Sequence, residues 1–357
     1  MTTKNDDDMS SHDVTLAAVK DYYGRVLERS QDLKTNACCT ADSMPVALRQ
    51  IAAKIHPEVL ERFYGCGSPL PQGLDGQTVV DLGCGSGRDA FIASALVGPS
   101  GRVIGVDMTE SQIAVARKHS AHMATALGYS RENTSFRTGY IEDLWTAGLE
   151  DNSVDVVISN CVVNLSPDKN RVMREIFRVL KPGGELYFSD IFSGRRIPQA
   201  LVDDPVLYGE CLSGALYIED FRRALRAHGV LDWRTVNRRR ISIANDVLER
   251  KVGNVDFWSM TVRAFKLDLE DICEDYGQVA TYRGTLADSA TSFLLDDHHS
   301  FETGRPMIVC GNTADMVSKT RFAAHFTVQG DKTTHFGPFD CSPGTPSSAV
   351  AASRSCC

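Results

Sequence analysis

A glycine-rich turn and eleven cysteines are the residues of this 357-residue chain whose types and spacing could do chemistry. Gly83, Gly85 and Gly87 alternate with Cys84 and Ser86 directly after the apolar run Thr78-Val79-Val80-Asp81-Leu82. Glycines at the end of a buried strand let a ligand approach the backbone closely. A dinucleotide turn would carry a third glycine where Arg88 stands, so the pattern suits an adenosyl ligand whose amino-acid end, not a pyrophosphate, reaches the helix start. Asp107 ends the next strand about one βαβ unit later, where a carboxylate can accept hydrogen bonds from both ribose hydroxyls. It also stands where it could merely cap the following helix, a role for which Thr109 competes.

The thiols fall into groups. Cys38 and Cys39 are neighbours near the start, and Cys66 sits between Gly65 and Gly67, which leave the backbone free to present its sulfur. Cys161 follows Asn160 at the carboxyl edge of a strand, where ligands of doubly wound sheets bind. Cys211 lies in a helical excursion after the core strands. Cys84, inside the glycine turn, reads as a packed small residue, and Cys273, Cys310 and Cys341 as structural. Cys356 and Cys357 close the tail. Thiols kept reduced in this number are buried small hydrophobes or ligands for something soft.

The elements that must position these residues follow from periodicity. Val46, Leu48, Ile51, Ile55, Val59 and Leu60 predict one amphipathic helix before the first strand. Arg102 to Asp107 is a second strand, Thr109-Glu110-Ser111-Gln112 a capping box for a helix reaching Leu127, Thr134 to Thr138 a weak third strand and Ser153 to Ser159 a fourth. A helix starting at Ser166-Pro167 carries Val172, Ile176 and Val179 and stops at Lys181-Pro182-Gly183-Gly184, before a fifth strand from Glu185 to Asp190. Two β-rich stretches near Leu231 to Ile243 and Val255 to Lys266 complete an α/β chain with an open, mostly parallel sheet.

Four regions are expected: a flexible segment over 1–45 bearing reactive cysteine, the ligand-binding domain over 46–269, a small C-terminal α+β unit over 270–341 with strand-like Gly277 to Tyr282 and helix-like Thr313 to Phe326, and a disordered Ser, Ala and Pro-rich tail over 342–357. The formal charge of −8 argues against nucleic acid and anionic membrane as partners. The single basic run, Arg238-Arg239-Arg240, is too short to reverse that and reads as a solvated loop or strand edge. No stretch approaches a membrane span, and the polar, acidic start is neither signal nor transit peptide, so a cytoplasmic monomer with mostly reduced thiols is expected.

The glycine turn, Asp107 and the stretch VLKPGGELYFSD resemble class I S-adenosylmethionine methyltransferases, which implies an α/β, Rossmann-like doubly wound sheet, mostly parallel with an antiparallel last strand. Within them the blocks YYGRVLERSQDLKTNACCT, RFYGCGSPLPQGLDGQTVVDLGCGSGRDAF, GVDMTESQIAVARKH, SNCVVNLSPDK, LEDICEDYGQVATYRGT, LDDHHSFETGRP and CGNTADMVSKTRFAAHF resemble the arsenite methyltransferases, so the likeness covers residues 15 to 341. It implies S-adenosylmethionine as methyl donor, with Tyr64 and Gly65 over it, Asp81, Gly83, Gly85 and Gly87 under its methionine portion, Asp107 and Met108 at ribose and adenine, Ile141 and Glu142 at the adenine edge, and Asn160 beside the sulfonium. It also implies Cys161 and Cys211 as standing arsenic ligands and Cys66 as a third that forms a disulfide with Cys38, with Cys39 as the alternative.

Such a site has a chemical logic. Trivalent arsenic is soft and prefers thiolates, and three of them leave it one lone pair to attack the sulfonium methyl in line, with no proton to remove. Each transfer oxidises arsenic to the pentavalent state, and two nearby thiols supply the returning electrons by becoming a disulfide. The expected substrate is an arsenite conjugate of glutathione or another thiol, carried to mono-, di- and trimethylated products, with glutathione or thioredoxin as reductant. The rivals are a methyltransferase for a quinone, sterol or other small molecule and a non-catalytic thiol protein that sequesters soft metals. Asp296-Asp297-His298-His299 reads as a polar turn, since adjacent histidines point apart.

Overall fold

The computed structural model describes residues 16, 19, 20, 44–63, 65, 67–202, 204, 207, 208, 211–243 and 245–340. Cys38, Cys39, Tyr64, Cys66, Cys341, Cys356 and Cys357 lie outside the described residues, as do nearly all of 1–43 and all of 341–357.

Apolar runs buried on both faces form the centre of the main sheet. Strands β1 (Thr78–Leu82), β2 (Arg102–Asp107), β3 (Thr134–Thr138), β4 (Val154–Asn160) and β5 (Leu180–Ser193) pair in parallel in the order β3-β2-β1-β4-β5. The short β6 (Leu216–Tyr217) adds to the end of β5, and β7 (Trp233–Arg240) is the outermost strand. β8 (Phe257–Phe265) inserts between β5 and β7, antiparallel to both, so the last strand of the sheet is its reversed one. The order reverses around β1, between β2 and β4, and the cleft of such sheets opens at the carboxyl ends there.

Two short helices precede the sheet: α1 (Val46–Ala52) and α2 (Pro57–Leu60). They replace the single helix expected over this stretch, because Pro57 has no N–H for a continuing helix and forces His56 to extended backbone, where its ring nitrogen accepts from Glu58 N. Helices α3 (Arg88–Val97), α4 (Glu110–Leu127) and α5 (Lys169–Val179) cover the sheet. Asp168 caps α5 by accepting from Arg171 N, and the helix stops at Val179. Lys181-Pro182-Gly183-Gly184 is therefore not a loop after the helix but part of β5, which bulges against β4 there with Gly183 at a φ of 78°. The excursion holds α6 (Gln199–Val202) and α7 (Ile218–Ala227), followed by α8 (Asp246–Val252). Among the described residues no helix is long and apolar enough to cross a membrane.

The C-terminal segment pairs β9 (Glu274–Asp275) with β15 (Gly337–Pro338), β11 (Ser292–Leu294) with β12 (Ser300–Glu302), and sets β10 (Gln278–Tyr282) between β13 (Pro306–Val309) and β14 (Phe326–Gln329). Helix α9 (Gly311–Ser318) is shorter than expected, and Ala323–His325 is a separate 3-10 turn. A ring of Tyr282, Phe293, Phe301, Phe322 and Phe326 fills the core under these strands.

A buried ion cluster ties this segment to the main sheet. Arg263 Nε donates to Glu185 Oε1 at 2.6 Å and Arg321 Nη1 lies 2.5 Å from Oε2. Arg263 Nη1 also donates to Leu295 O, and Arg321 donates to Gln72 O and Gly73 O. Glu185 and Arg263 are almost wholly inaccessible to water, so each charge depends on the others. Replacing Glu185 with Ala should lower the unfolding free energy by about 3–5 kcal/mol, because two guanidiniums lose their only buried carboxylate. Urea denaturation checks this, and a loss below about 1 kcal/mol would show the cluster to be dispensable.

Candidate active site

The glycine turn is a built cradle. Gly83 N and Cys84 N both donate to Val106 O, which bends β1 toward β2. Gly83, Gly85 and Gly87 all have left-handed backbone, with φ of 66°, 52° and 95°. A Cβ on Gly83 would come within 2.4 Å of Val162, whereas one on Gly85 would point into open space, so Gly85 borders the void that a ligand fills.

Asp107 organises this turn as well as facing the cleft. Its Oδ2 accepts from Gly85 N at 2.9 Å and its Oδ1 from Thr109 N at 2.8 Å. The Thr109 side chain bonds Asp107 too, so the expected capping box does not form: Thr109 makes no side-chain cap to α4. Asp107 outcompetes the helix amides because its carboxylate is fixed by the strand end and accepts more strongly than they do. Burial nevertheless raises the Asp107 pKa, with these hydrogen bonds opposing it.

Asp81 is fully buried, and burial together with Asp89 and Asp107 pushes its pKa well up. One of its oxygens has no hydrogen-bond partner, and neither has Gln112 Oε1. Both side chains line the cleft with Met108, Tyr140, Ile141 and Glu142. Buried acceptors left unsatisfied call for donors on a ligand, and an amino group with two ribose hydroxyls is a matching set. The residues present therefore fit S-adenosylmethionine. Glu142 is less available than the sequence suggests, because it accepts a hydrogen bond from Ser166 Oγ.

Asn160 closes the floor. Its Nδ2 donates to Asp89 Oδ2 at 2.7 Å and to Gly67 O, while its Oδ1 accepts from Gly67 N. A Cβ on Gly65 would meet Asn160 at 2.8 Å, and one on Gly67 would meet Ser189 at 2.6 Å. These glycines are needed for close approach of the segment to the strand ends, a stronger reason than freedom to expose the cysteine between them. Arg88 pairs with Asp89 and stacks 3.4 Å over the Phe63 ring, forming a wall that the sequence reading missed.

Cys161 and Cys211 are brought together. The Cys211 thiol lies 3.5 Å from the Cys161 carbonyl oxygen, and both residues are buried. With Asn152 they are the non-glycine residues of positive φ among the described residues, at 57° and 60°. Such backbone costs a non-glycine residue about 1–3 kcal/mol and persists only where the surroundings over-determine it. Cys161 N donates to Ser189 O, and Cys161 is disulfide-bonded.

The surroundings that hold this backbone centre on Asn164 and Asp190, which sequence reasoning did not single out. Asn164 Nδ2 donates to Asp190 Oδ1 at 2.6 Å and to Ile191 O, and Asn164 Oδ1 accepts from Leu216 N. Burial raises the Asp190 pKa to about 7. Lys169 donates to Ser166 O and is influenced by the charges of Asp190, Cys211 and Glu142; burial lowers its pKa to about 8.

The remaining candidates fall elsewhere. Cys84 packs against Gly105, where an added Cβ would touch its sulfur at 2.7 Å, and burial keeps it a neutral thiol. Asp296 Oδ1 accepts from His298 N, His299 N and the His299 ring, and its other oxygen pairs with Arg234, so the motif closes its own turn. Cys310 caps α9 by accepting from Thr313 N.

Comparison with known proteins decides the family. A methyltransferase-domain model matches residues 74–229, and an arsenite methyltransferase C-terminal-domain model matches 276–352. An arsenite methyltransferase of Aquipseudomonas alcaligenes is 53% identical over 345 residues, covering 95% of this chain and 99% of that one. The chain belongs to the arsenite methyltransferase family. The arsenite methyltransferase of Homo sapiens is 40% identical over 312 residues, 87% of this chain and 83% of that one. Among solved structures, an arsenic (III) S-adenosylmethionine methyltransferase from Chlamydomonas reinhardtii superposes with a TM-score of 0.81 at 51% identity, covering 84% of this chain and all of that one. As an arsenite methyltransferase the chain is an S-adenosylmethionine-dependent enzyme, with the class I fold expected from its sequence.

Asp107→Ala tests the cradle. It should weaken S-adenosylmethionine binding by roughly ten- to a hundredfold, about 1.5–3 kcal/mol, through loss of a carboxylate that lines the cleft and braces Gly85. Calorimetric titration reads the change, and an unaltered affinity with intact circular dichroism would refute it.

Proposed function

We propose that this protein transfers methyl groups from S-adenosylmethionine to trivalent arsenic held by its own cysteine thiolates, with Cys161 and Cys211 as lasting ligands. The observation that carries the reading is the pair of left-handed cysteines beside the cleft, one thiol 3.5 Å from the other's carbonyl. When bound, the donor supplies an electrophilic methyl on sulfonium. Asp81 and Asp107 would hold its amino-acid and ribose ends, Met108 and Ile141 would flank the adenine, and Asn160 would limit the reacting end.

Arsenite would arrive as a thiol conjugate and exchange its ligands for protein thiolates, without any base to abstract a proton. The arsenic lone pair would take the methyl as its bond to the sulfonium breaks and the donor leaves as a neutral thioether; arsenic would pass from the trivalent to the pentavalent state, and two thiolates would return the two electrons by joining as a disulfide. We assign Cys66 as third ligand and Cys38, or its neighbour Cys39, as its disulfide partner; these residues lie outside the described ones. Because Cys161 is itself disulfide-bonded here, thiol exchange with glutathione or thioredoxin would have to open that bond before arsenic is bound at it. Products would run from mono- to di- and trimethylated arsenicals. We read residues 46–269 as the methyl-transfer domain and 270–341 as a small accessory unit of a monomeric, cytoplasmic enzyme.

Cys161→Ser and Cys211→Ser should each abolish methylation of arsenite and monomethyl arsenite, while S-adenosylmethionine still binds. Cys38→Ser and Cys66→Ser should cost the first methylation more than the second, since monomethyl arsenite already carries a carbon ligand and needs two thiolates. Mass spectrometry of products separates the cases. Wild-type turnover in either of the first two variants would end the proposal, and equal losses at both steps would end the division of labour.

A further inference from the structure

On the outer side of the glycine turn, three histidines and a carboxylate gather where α2 crosses α4. His119, buried on α4, has its Nε2 2.7 Å from Glu58 Oε2. The His56 ring stacks on that of His119 with centroids 4.0 Å apart and planes 18° apart. One ligand atom from each of His56, Glu58 and His119 lies within 4.8 Å of the others. His122, one turn further along α4, sets its ring edge-on to His56 at 5.7 Å.

His56 caps α2 through Glu58 N and His119 ties Glu58 to α4, so the fold itself sets these three side chains together. Two imidazoles and one carboxylate are the donor set of a three-ligand site that leaves one position for water. The methyl-transfer chemistry uses none of these residues.

We propose that His56, Glu58 and His119 form a binding site for a single divalent transition cation of the zinc, nickel or copper type. Nitrogen and carboxylate donors select such ions over soft arsenic, which the thiols take, and over magnesium or calcium, which want oxygen alone. Binding exchanges existing contacts for bonds to the ion. The His119–Glu58 hydrogen bond is replaced by coordination from both partners, His56 gives up the contact from Glu58 N or binds through its other ring nitrogen, and Lys118 leaves Glu58. Lys118 Nζ now sits 2.7 Å from the same Glu58 oxygen but its side chain is 62% exposed, so it is free to swing away.

The ion would clasp α2 to α4. The chain leaving α2 runs directly to Arg62 and Phe63 at the cleft, and Ser86 of the glycine turn donates to Val59 O within α2. The clasp therefore fixes one wall of the donor cleft from behind.

The test titrates the full-length reduced protein with Ni2+ alone by calorimetry, comparing variants so that binding to thiols, common to all, cancels. Wild type should take up one equivalent that His119→Asn lacks, and Glu58→Gln should bind it on the order of tenfold more weakly. Lys118→Ala, an exposed change that leaves the fold intact, should bind more tightly because a competing cation is gone. Ring 1H–15N spectra should show His56 and His119 signals moving with that equivalent. Equal uptake in all four proteins, or ring signals that stay in place, would overturn the site, and so would a Lys118→Ala affinity no higher than wild type.

Discussion

The constraint on which the rest depends is left-handed backbone at two cysteines. A β-strand that simply ran on past Asn160 would carry Cys161 away from the cleft, and a regular helix through residue 211 would turn that thiol elsewhere. Both chains are instead bent at the cysteine itself, and the bend at each has to be held from outside. Just past Cys161, Asn164 bridges to Asp190 and the strand end at Ile191, and to the backbone entering β6 a few residues past Cys211. A buried, fully bonded polar pair thus stands a few residues from each left-handed cysteine.

The second organising idea is economy at Asp107. One carboxylate fixes the Gly85 amide, the Thr109 amide and the direction of α4, and its remaining lone pairs face the cleft. The unsatisfied oxygens of Asp81 and Gln112 then mark where donors are missing. The cradle is preorganised at its base and incomplete at its mouth, as a site that binds and releases a ligand at every turnover should be.

Much of this was legible in the sequence because its signals are local. Alternating glycines after an apolar run, an acid one βαβ unit later and a cysteine at a strand end follow from backbone geometry and from the edge where open sheets bind ligands. The mostly parallel sheet and its reversed last strand followed from the alternation of elements and the family pattern. What stayed hidden was non-local. Nothing in the spacing says that Arg88 lies over Phe63, that Asn160 meets Asp89, or that Asp190 reaches Asn164. Local rules also failed where a stronger competitor existed: Thr109 gave its hydroxyl to Asp107, Pro57 split a periodic helix, and Lys181 to Gly184 joined a strand. The histidine cluster joins residues about sixty positions apart and has no signature in either stretch.

The run Arg238-Arg239-Arg240 acquires a meaning from its place. It occupies the end of β7, the outermost strand, with all three residues exposed and Arg238 lying over Trp258. A sheet border offers unpaired amides and carbonyls to any extended peptide that drifts by. Three guanidiniums along that border, with Arg240 also paired to Asp256, oppose the approach of a like-charged strand and so disfavour stacking border to border.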